Sequence, residues 1–371
     1  MSAGRSGARA GSDAGTSLVA AYDALICDLD GVVHRGHRAV PMAPEALARV
    51  LAEGRRVIYA TNNASRPPED VVAHLAGLGV PATVETVVTS AQAGAVRVRE
   101  LVPEGSAVVA LGGPGVVAAL AEVGLDPVRP DASAALAVLQ GYGPSLTVAD
   151  FAGAARHLHG GARWIATNGD LTLPVEWGTA PGNGAYVQLL ASAVGRTPEA
   201  ITGKPASPLY DLAVDRLALP RRQVLAIGDR LDTDIDGAAA AGVDSAWVLT
   251  GVHAPSDLVA ADRPAPTYVL SSLAELHEPY AAPWRSGEGW ACGDHHATVA
   301  RAADGPVELR ISSGVHGHAA GSESVGSSVG DAVPIEAIRA GLAALLSARE
   351  GGLAPTAELV HAARLLDTPA R

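Results

Sequence analysis

The sequence predicts an α/β protein: a doubly wound, mostly parallel sheet core with an inserted α/β cap domain and a small α+β C-terminal module. Three observations carry this. Short apolar runs alternate with Ala/Leu-rich helical patterns from Tyr22 onward, the spelling of βαβ units. The alternation resumes at residues 224–249, so the two stretches read as halves of one sheet. Between them lies a second alternation, long enough to fold around a core of its own.

In the first half, strands are expected at 24–27 and 57–60 and helices at 44–52 and 69–78. In the second half, strands at 224–227 and 245–249 flank an Ala-rich helix at 235–241. The insertion supplies strands at 107–111, 135–139 and 163–166 and helices at 115–123 and 148–158. The implied domains are a core of 21–92 with 197–277 and a cap of 93–196. A Pro- and Gly-punctuated linker follows at 278–289, then a module at 290–371 with strands at 297–302 and 307–312 and helices at 334–349 and 356–366. Residues 1–20, rich in Gly, Ser and Ala, read as a disordered tail.

Composition narrows the function classes. The formal net charge of -12 repels a polyphosphate backbone, and no run of basic residues counters it, so nucleic acid is not an expected partner. No uninterrupted apolar stretch reaches the roughly 18 residues of a membrane span, and the first twenty residues lack a secretory apolar core. Two cysteines, Cys27 and Cys292, form no disulfide framework or metal-finger spacing, which fits a reducing cytoplasm.

Chemistry concentrates at strand ends. In ALICDLDGVVHRG an apolar strand runs into Asp28, with Asp30 two residues later. Carboxylates at i and i+2 leave a strand on one side, and a divalent cation is the partner that keeps both ionised. The competing reading is an Asp-rich turn. VLAIGDRLDTDIDGAAAAG ends a second strand in Asp229, followed by Asp232, Asp234 and Asp236. In a doubly wound sheet the strands' carboxyl ends line one crevice, where Asp229 meets Asp28 and Asp30, while Asp232 and Asp236 read as helix caps. VIYATNNASR ends a strand at Thr61 with Asn62 and Asn63, where a hydroxyl and backbone N–H groups suit phosphate oxygens; a polar turn is the alternative.

Rare residues carry information in so biased a chain. Arg occurs 26 times, Lys once and Asn four times. The single lysine, Lys204 in ITGKPASPLYDLA, is a compact charge that bridges carboxylate and phosphate where a guanidinium does not fit.

Taken together, D-x-D-G at 28–31, T-N-N at 61–63, G-K-P at 203–205 and G-D-x-x-x-T-D at 228–234 resemble the four motifs of the haloacid dehalogenase superfamily. The likeness covers roughly residues 22–276. An insertion between the second and third motifs is similar to the large α/β (type IIA) cap of the nitrophenylphosphatase, phosphoglycolate and pyridoxal phosphate phosphatases. T-S-A-Q at 89–92, T-N-x-D at 167–170 and P-G-N-G at 181–184 strengthen it. The extra C-terminal module resembles the D,L-glycerol-3-phosphate phosphatases, which carry a truncated acetyltransferase-like tail. The Arg/Gln-x-x-Gly-x-Gly/Ala pyrophosphate loop of working acetyltransferases is missing here, where the tail reads only HAAGSESVGSSVG, so acetyl transfer is not expected.

The resemblance implies hydrolysis of a small phosphorylated metabolite, most like glycerol 3-phosphate. It makes Asp28 the nucleophile and Asp30 the general acid and base. Magnesium would be held by Asp28, the Asp30 carbonyl and Asp229, with Asp234 behind them. Thr61, Asn62, Asn63 and Lys204 would hold the phosphoryl group, and Asn168 and Asp170 of the cap would meet the rest of the substrate, although an Asx turn explains the pair equally well. A homodimer is expected on the same ground. Phosphoglycolate, pyridoxal phosphate or nucleoside monophosphates are alternative substrates. A dehalogenase would need neither Asp30 nor Asp229, a phosphomutase would show sugar-binding features, and a phosphometabolite-binding regulatory protein would not keep every catalytic motif. Gly112–Gly115 reads as a plain strand-to-helix turn; His295 and His296, adjacent on a strand, point apart, and with His316 and His318 they receive no function.

Overall fold

Every residue of the first apolar run is buried: Ala24–Cys27 forms strand β1 in a computed structural model that describes residues 15–175, 177–301, 305–314 and 333–367. The chain divides into two units, one of Tyr22–Gly228 with Asp232–Ser245, the other of residues 15–21, 229–231 and those described from Ala246 on. No helix of the described residues is long and apolar enough to cross a membrane. His316, His318 and the HAAGSESVGSSVG loop lie outside the described residues, as do residues 1–14 of the expected tail.

In the first unit, β1 is followed by α1 (Ala43–Ala52), β2 (Arg56–Thr61), α2 (Pro68–Gly77), β3 (Val87–Thr89) and α3 (Ser90–Leu101). The second sheet and its helices come next: β4 (Ala107–Leu111), α4 (Pro114–Glu122), β5 (Asp126–Val128), β6 (Ala137–Gln140), α5 (Val148–His159) and β7 (Arg163–Ala166). A hairpin, β8 (Thr172–Val175) and β9 (Gly178–Pro181), leads to α6 (Asn183–Val194) and β10 (Ala200–Ile201). The chain then completes the first sheet with α7 (Pro208–Leu217), β11 (Val224–Gly228), α8 (Asp236–Ala241) and β12 (Asp244–Val248), whose last three residues belong to the other unit.

β11, β1, β2 and β3 run parallel side by side, with Cys27 paired to both Ile227 and Tyr59. A strand buried on both faces reads as continuous apolar text, which is why ALIC and VLAIG alternate so little. Ala24, Ile26, Ile58, Ala60, Val224 and Ala226 pack with Leu209, Ala213, Val214 and Leu217 of α7. The second sheet, ordered β10-β7-β6-β4-β5, is also wholly parallel. One face carries Val108, Leu139 and Ile165 against α3 and α4, the other Val109, Val138 and Trp164 against α5 and α6. It takes in residues 200–201, past the expected boundary at 196, because Ala200 pairs with Ile165. The turn at 112–115 is a strand-to-helix connection, with Pro114 in the first turn of α4.

The other unit holds α9 (Pro255–Ala260) and β13 (Tyr268–Leu270), which pairs with residues 246–248. It continues with an antiparallel sheet of β14 (Trp284–Ser286), β15 (Gly289–Cys292), β16 (His295–Arg301) and β17 (Val307–Ser313), and with α10 (Ile335–Glu350) and α11 (Thr356–Ala363). Two expectations are corrected. Residues 284–286 are not linker: they pair with 289–291 across a two-residue turn whose Gly287 takes φ 57°, and the flanking Pro283 and Gly287 hide so short a strand. Residues 18–20 are not tail: Leu18–Ala21 is a 3₁₀ turn with Leu18 and Val19 buried, the first apolar pair after the Gly/Ser text. The Leu18 N–H bonds the Glu278 carbonyl at 2.9 Å.

Candidate active site

Parallel strands put their carboxyl ends along one edge, and three segments meet there. Asp28 leaves β1 with its N–H on the Ile227 carbonyl at 2.9 Å, prolonging the ladder by one residue. Thr61 ends β2. The 203–205 loop arrives last, with the Gly203 N–H on the Thr167 carbonyl and the Lys204 N–H on Asn62 Oδ1 at 2.8 Å. A Cβ on Gly203 would stand 2.5 Å from the Thr167 carbonyl oxygen and 2.6 Å from Asn62 Oδ1, so no other residue admits this approach.

Lys204 is only 3% exposed, yet it is doubly paired: its Nζ contacts Asp28 Oδ1 and lies 2.7 Å from Asp234 Oδ1. Burial alone would push the ammonium down; Asp234 and Asp28 outweigh it and hold Lys204 well above its ordinary value, so the site keeps a permanent cation. The Tyr210 hydroxyl donates to the Asp234 carbonyl at 3.1 Å, and burial keeps that phenol neutral. Burial likewise raises the Cys27 thiol beneath the site, with Asp28 adding to it, which makes the thiol inert.

Asparagines tie the two sheets together. Asn62 Nδ2 donates to Asp170 Oδ2 and to the Lys204 carbonyl, each at 3.1 Å, while its Oδ1 accepts from Lys204. Its side-chain amide is therefore committed to organising the Lys204 loop, which leaves the backbone N–H groups of this turn as the donors suited to phosphate oxygens. Asn168 Nδ2 donates to the Asn62 carbonyl at 2.8 Å, and the Asp170 N–H reaches Asn168 Oδ1 at 3.3 Å. The Asx turn is present, and both cap residues spend a side-chain bond on the Asn62 loop. Asn63 is exposed and its Oδ1 accepts from the Ser65 N–H and hydroxyl at 2.9 and 2.7 Å, so the polar turn is present. Thr61 Oγ1 accepts from the Asn63 N–H at 3.0 Å, which leaves its own hydrogen to donate.

The two other predicted acids stand differently. Asp30 has an exposed side chain, with Oδ1 3.4 Å from Nδ1 of buried His34. Burial holds the His34 imidazole below its ordinary value, with Asp30 opposing. Asp229, one residue beyond β11, falls in the other unit, where its Oδ2 accepts from the Val252 N–H at 3.0 Å and its carbonyl from Trp247 Nε1 at 2.9 Å. Asp232 and Asp236 do not cap α8. Residues 231–235 form a π-type turn that runs straight into the helix, and Asp236 sits in its first turn, where it favours the dipole instead.

The donor chemistry fits magnesium. Asp28 and Asp234 bring carboxylate oxygens within 4.8 Å of each other, all-oxygen ligation suits a hard divalent ion, and one ammonium against two carboxylates leaves negative charge to neutralise.

Three residues of this region received no role in the sequence: Asn183, quoted there only within P-G-N-G, Tyr210 and His34. Asn183, first residue of α6, donates Nδ2 to the Asn168 carbonyl at 2.8 Å. It is the fourth of four asparagines, and the rarity that singled out Lys204 would have found it. Its neighbour Gly184 is required because a Cβ would meet the Gly169 carbonyl oxygen at 2.1 Å. Tyr210 and His34 carry no comparable signal beyond their distance from motif acids.

A haloacid dehalogenase-like hydrolase model matches residues 25–126, and a second, HAD-hydrolase-like, matches 201–276. The chain is 42% identical over 263 residues to a D-glycerol 3-phosphate phosphatase of Mycobacterium tuberculosis, covering 71% of this chain and 73% of that one. It is 35% identical over 254 residues to an acid sugar phosphatase of Staphylococcus aureus, covering 68% and 96%. A crystal structure of the Mycobacterium tuberculosis glycerol phosphate phosphatase with magnesium superposes at TM-score 0.74 and 34% identity, covering 90% of this chain and 93% of that chain. The p-nitrophenyl phosphatase of Archaeoglobus fulgidus superposes at 0.64 and 28%, covering 69% and 98%. The chain belongs to the haloacid dehalogenase-like hydrolases, and among them it is a phosphatase.

Proposed function

We propose that the chain is a magnesium-dependent phosphomonoesterase that releases phosphate from glycerol 3-phosphate through an aspartyl-phosphate on Asp28. The observation that carries this is the Asp28–Lys204–Asp234 cluster at the carboxyl end of β1, in which Lys204 and Asp234 are buried and Asp28 is half-buried. The substrate rests on the 42% identical relative; the acid sugar phosphatases make sugar phosphates the nearest second choice.

An Asp28 carboxylate oxygen, oriented by Lys204, attacks phosphorus as the ester P–O bond breaks. Asp30 gives its proton to the departing alkoxide, which leaves as the alcohol; water then attacks phosphorus of the aspartyl-phosphate and loses a proton to Asp30, the P–O bond to Asp28 breaks, and the Asp28 carboxylate and inorganic phosphate are released. The Thr61 hydroxyl and Lys204 ammonium hold phosphoryl oxygens. Asn62 keeps Lys204 in place, and Asp170 and Asn168 steady Asn62. The cation would be held by Asp28, the Asp30 carbonyl and Asp229, backed by Asp234. Bound there, magnesium offsets the repulsion between carboxylate and phosphate. The cytoplasm is carried by the sparse cysteine usage, and a homodimer by the resemblance alone.

The test is phosphate release from glycerol 3-phosphate, sugar phosphates, phosphoglycolate, pyridoxal phosphate and nucleoside monophosphates. The expected outcome is release that needs magnesium, stops with chelator and has its highest kcat/KM for glycerol 3-phosphate. Tight binding of a phosphometabolite without turnover would instead identify a regulatory protein.

A further inference from the structure

The imidazole of His34 is buried at 7% exposure, and its Nδ1 has no hydrogen-bond partner among the described residues. A polar atom in that state costs stability unless some state of the molecule satisfies it. Asp30 Oδ1 lies 3.4 Å away, just beyond the distance of a well-formed hydrogen bond. The approach is built by the backbone: the Gly31 N–H donates to the His34 carbonyl at 2.7 Å, and Asp30 and His34 form an isolated bridge. The ring is fixed from behind by an edge-on contact with His74, centroids 4.8 Å apart. The Asp30 side chain, by contrast, is exposed.

We infer that His34 is a positioning residue for Asp30, donating from Nδ1 to the carboxyl group so that its other oxygen is aimed at the leaving-group oxygen. The inference rests on the proposed general-acid role of Asp30. His34 touches neither substrate nor metal; it acts through Asp30 alone. Catalytic hydrogen bonds are often long before substrate binds, and a 3.4 Å contact that shortens in the complex has that character.

The experiment uses the full-length protein with magnesium and a pair of replacements of similar size, His34→Leu without a donor and His34→Asn with an amide N–H near the Nδ1 position. The readout is kcat/KM, which covers the steps up to phosphoryl transfer. An alkoxide leaves only when protonated, whereas p-nitrophenolate leaves without a proton. His34→Leu should lower kcat/KM for glycerol 3-phosphate about tenfold or more and that for p-nitrophenyl phosphate by less than about threefold, with His34→Asn recovering most of the loss. Equal losses on both esters, no loss on either, or an Asn variant no better than Leu overturns the assignment. If His34→Leu does not fold, His34→Phe, which keeps a ring against His74, replaces it with the same expected split. A wild-type protein that cleaves neither ester overturns the phosphatase reading itself, which separates the two failures.

Discussion

Lys204 and Arg339 are the buried cations among the described residues, one in each unit, and their surroundings differ in kind. Arg339 on α10 is spent on architecture: its Nε donates to the Val269 carbonyl at 2.9 Å, its guanidinium pairs with Glu275, and its face lies 4.2 Å from the Tyr280 ring centroid. One charge meets one charge, and a planar fork uses its geometry fully. Lys204 faces two carboxylates, Asp28 and Asp234, at the open end of a parallel sheet. Burial of a charge therefore does not mark a site. Unequal charge beside converging oxygens and a strand end does, because a second cation and an anionic substrate complete the balance.

Substitutions sharpen that contrast. Lys204→Arg keeps the charge but replaces a point donor by a fork too large for the gap; kcat should fall roughly 10²–10³-fold, the scale of losing a donor to developing charge, while the unfolding midpoint moves little. Near-normal turnover would show that charge alone suffices. Arg339→Met should do the reverse, leaving Glu275 without its partner and costing about 3–5 kcal/mol in urea unfolding, with kcat/KM of the folded protein within about twofold of wild type. A large activity loss without destabilisation would break the division between structural and catalytic cations.

Most of the frame was legible in the sequence. β1, β4 and β7 fall on the expected residues, because buried parallel strands spell unbroken apolar runs between Gly, Pro and charge. Asp28 and Lys204 were legible because a strand end and a unique residue type both point at them. What stayed hidden is pairwise geometry. The Asn62 amide bonds Lys204 across 142 residues and Asp170 across 108, partners that no local pattern around T-N-N displays. By contrast, the Asn63 turn with Ser65 joins residues two apart and was among the readings the sequence offered. The Trp284–Ser286 strand fails for another reason: three residues are too few to show a period.

The central claim is that phosphate passes through the carboxylate of Asp28. Wild-type protein mixed with radiolabelled glycerol 3-phosphate and magnesium, quenched in acid within one turnover and digested, should carry label on the peptide that contains Asp28, and Asp28→Asn should carry none. Full phosphate release from wild type with no label at Asp28, or label on another residue, would contradict the account.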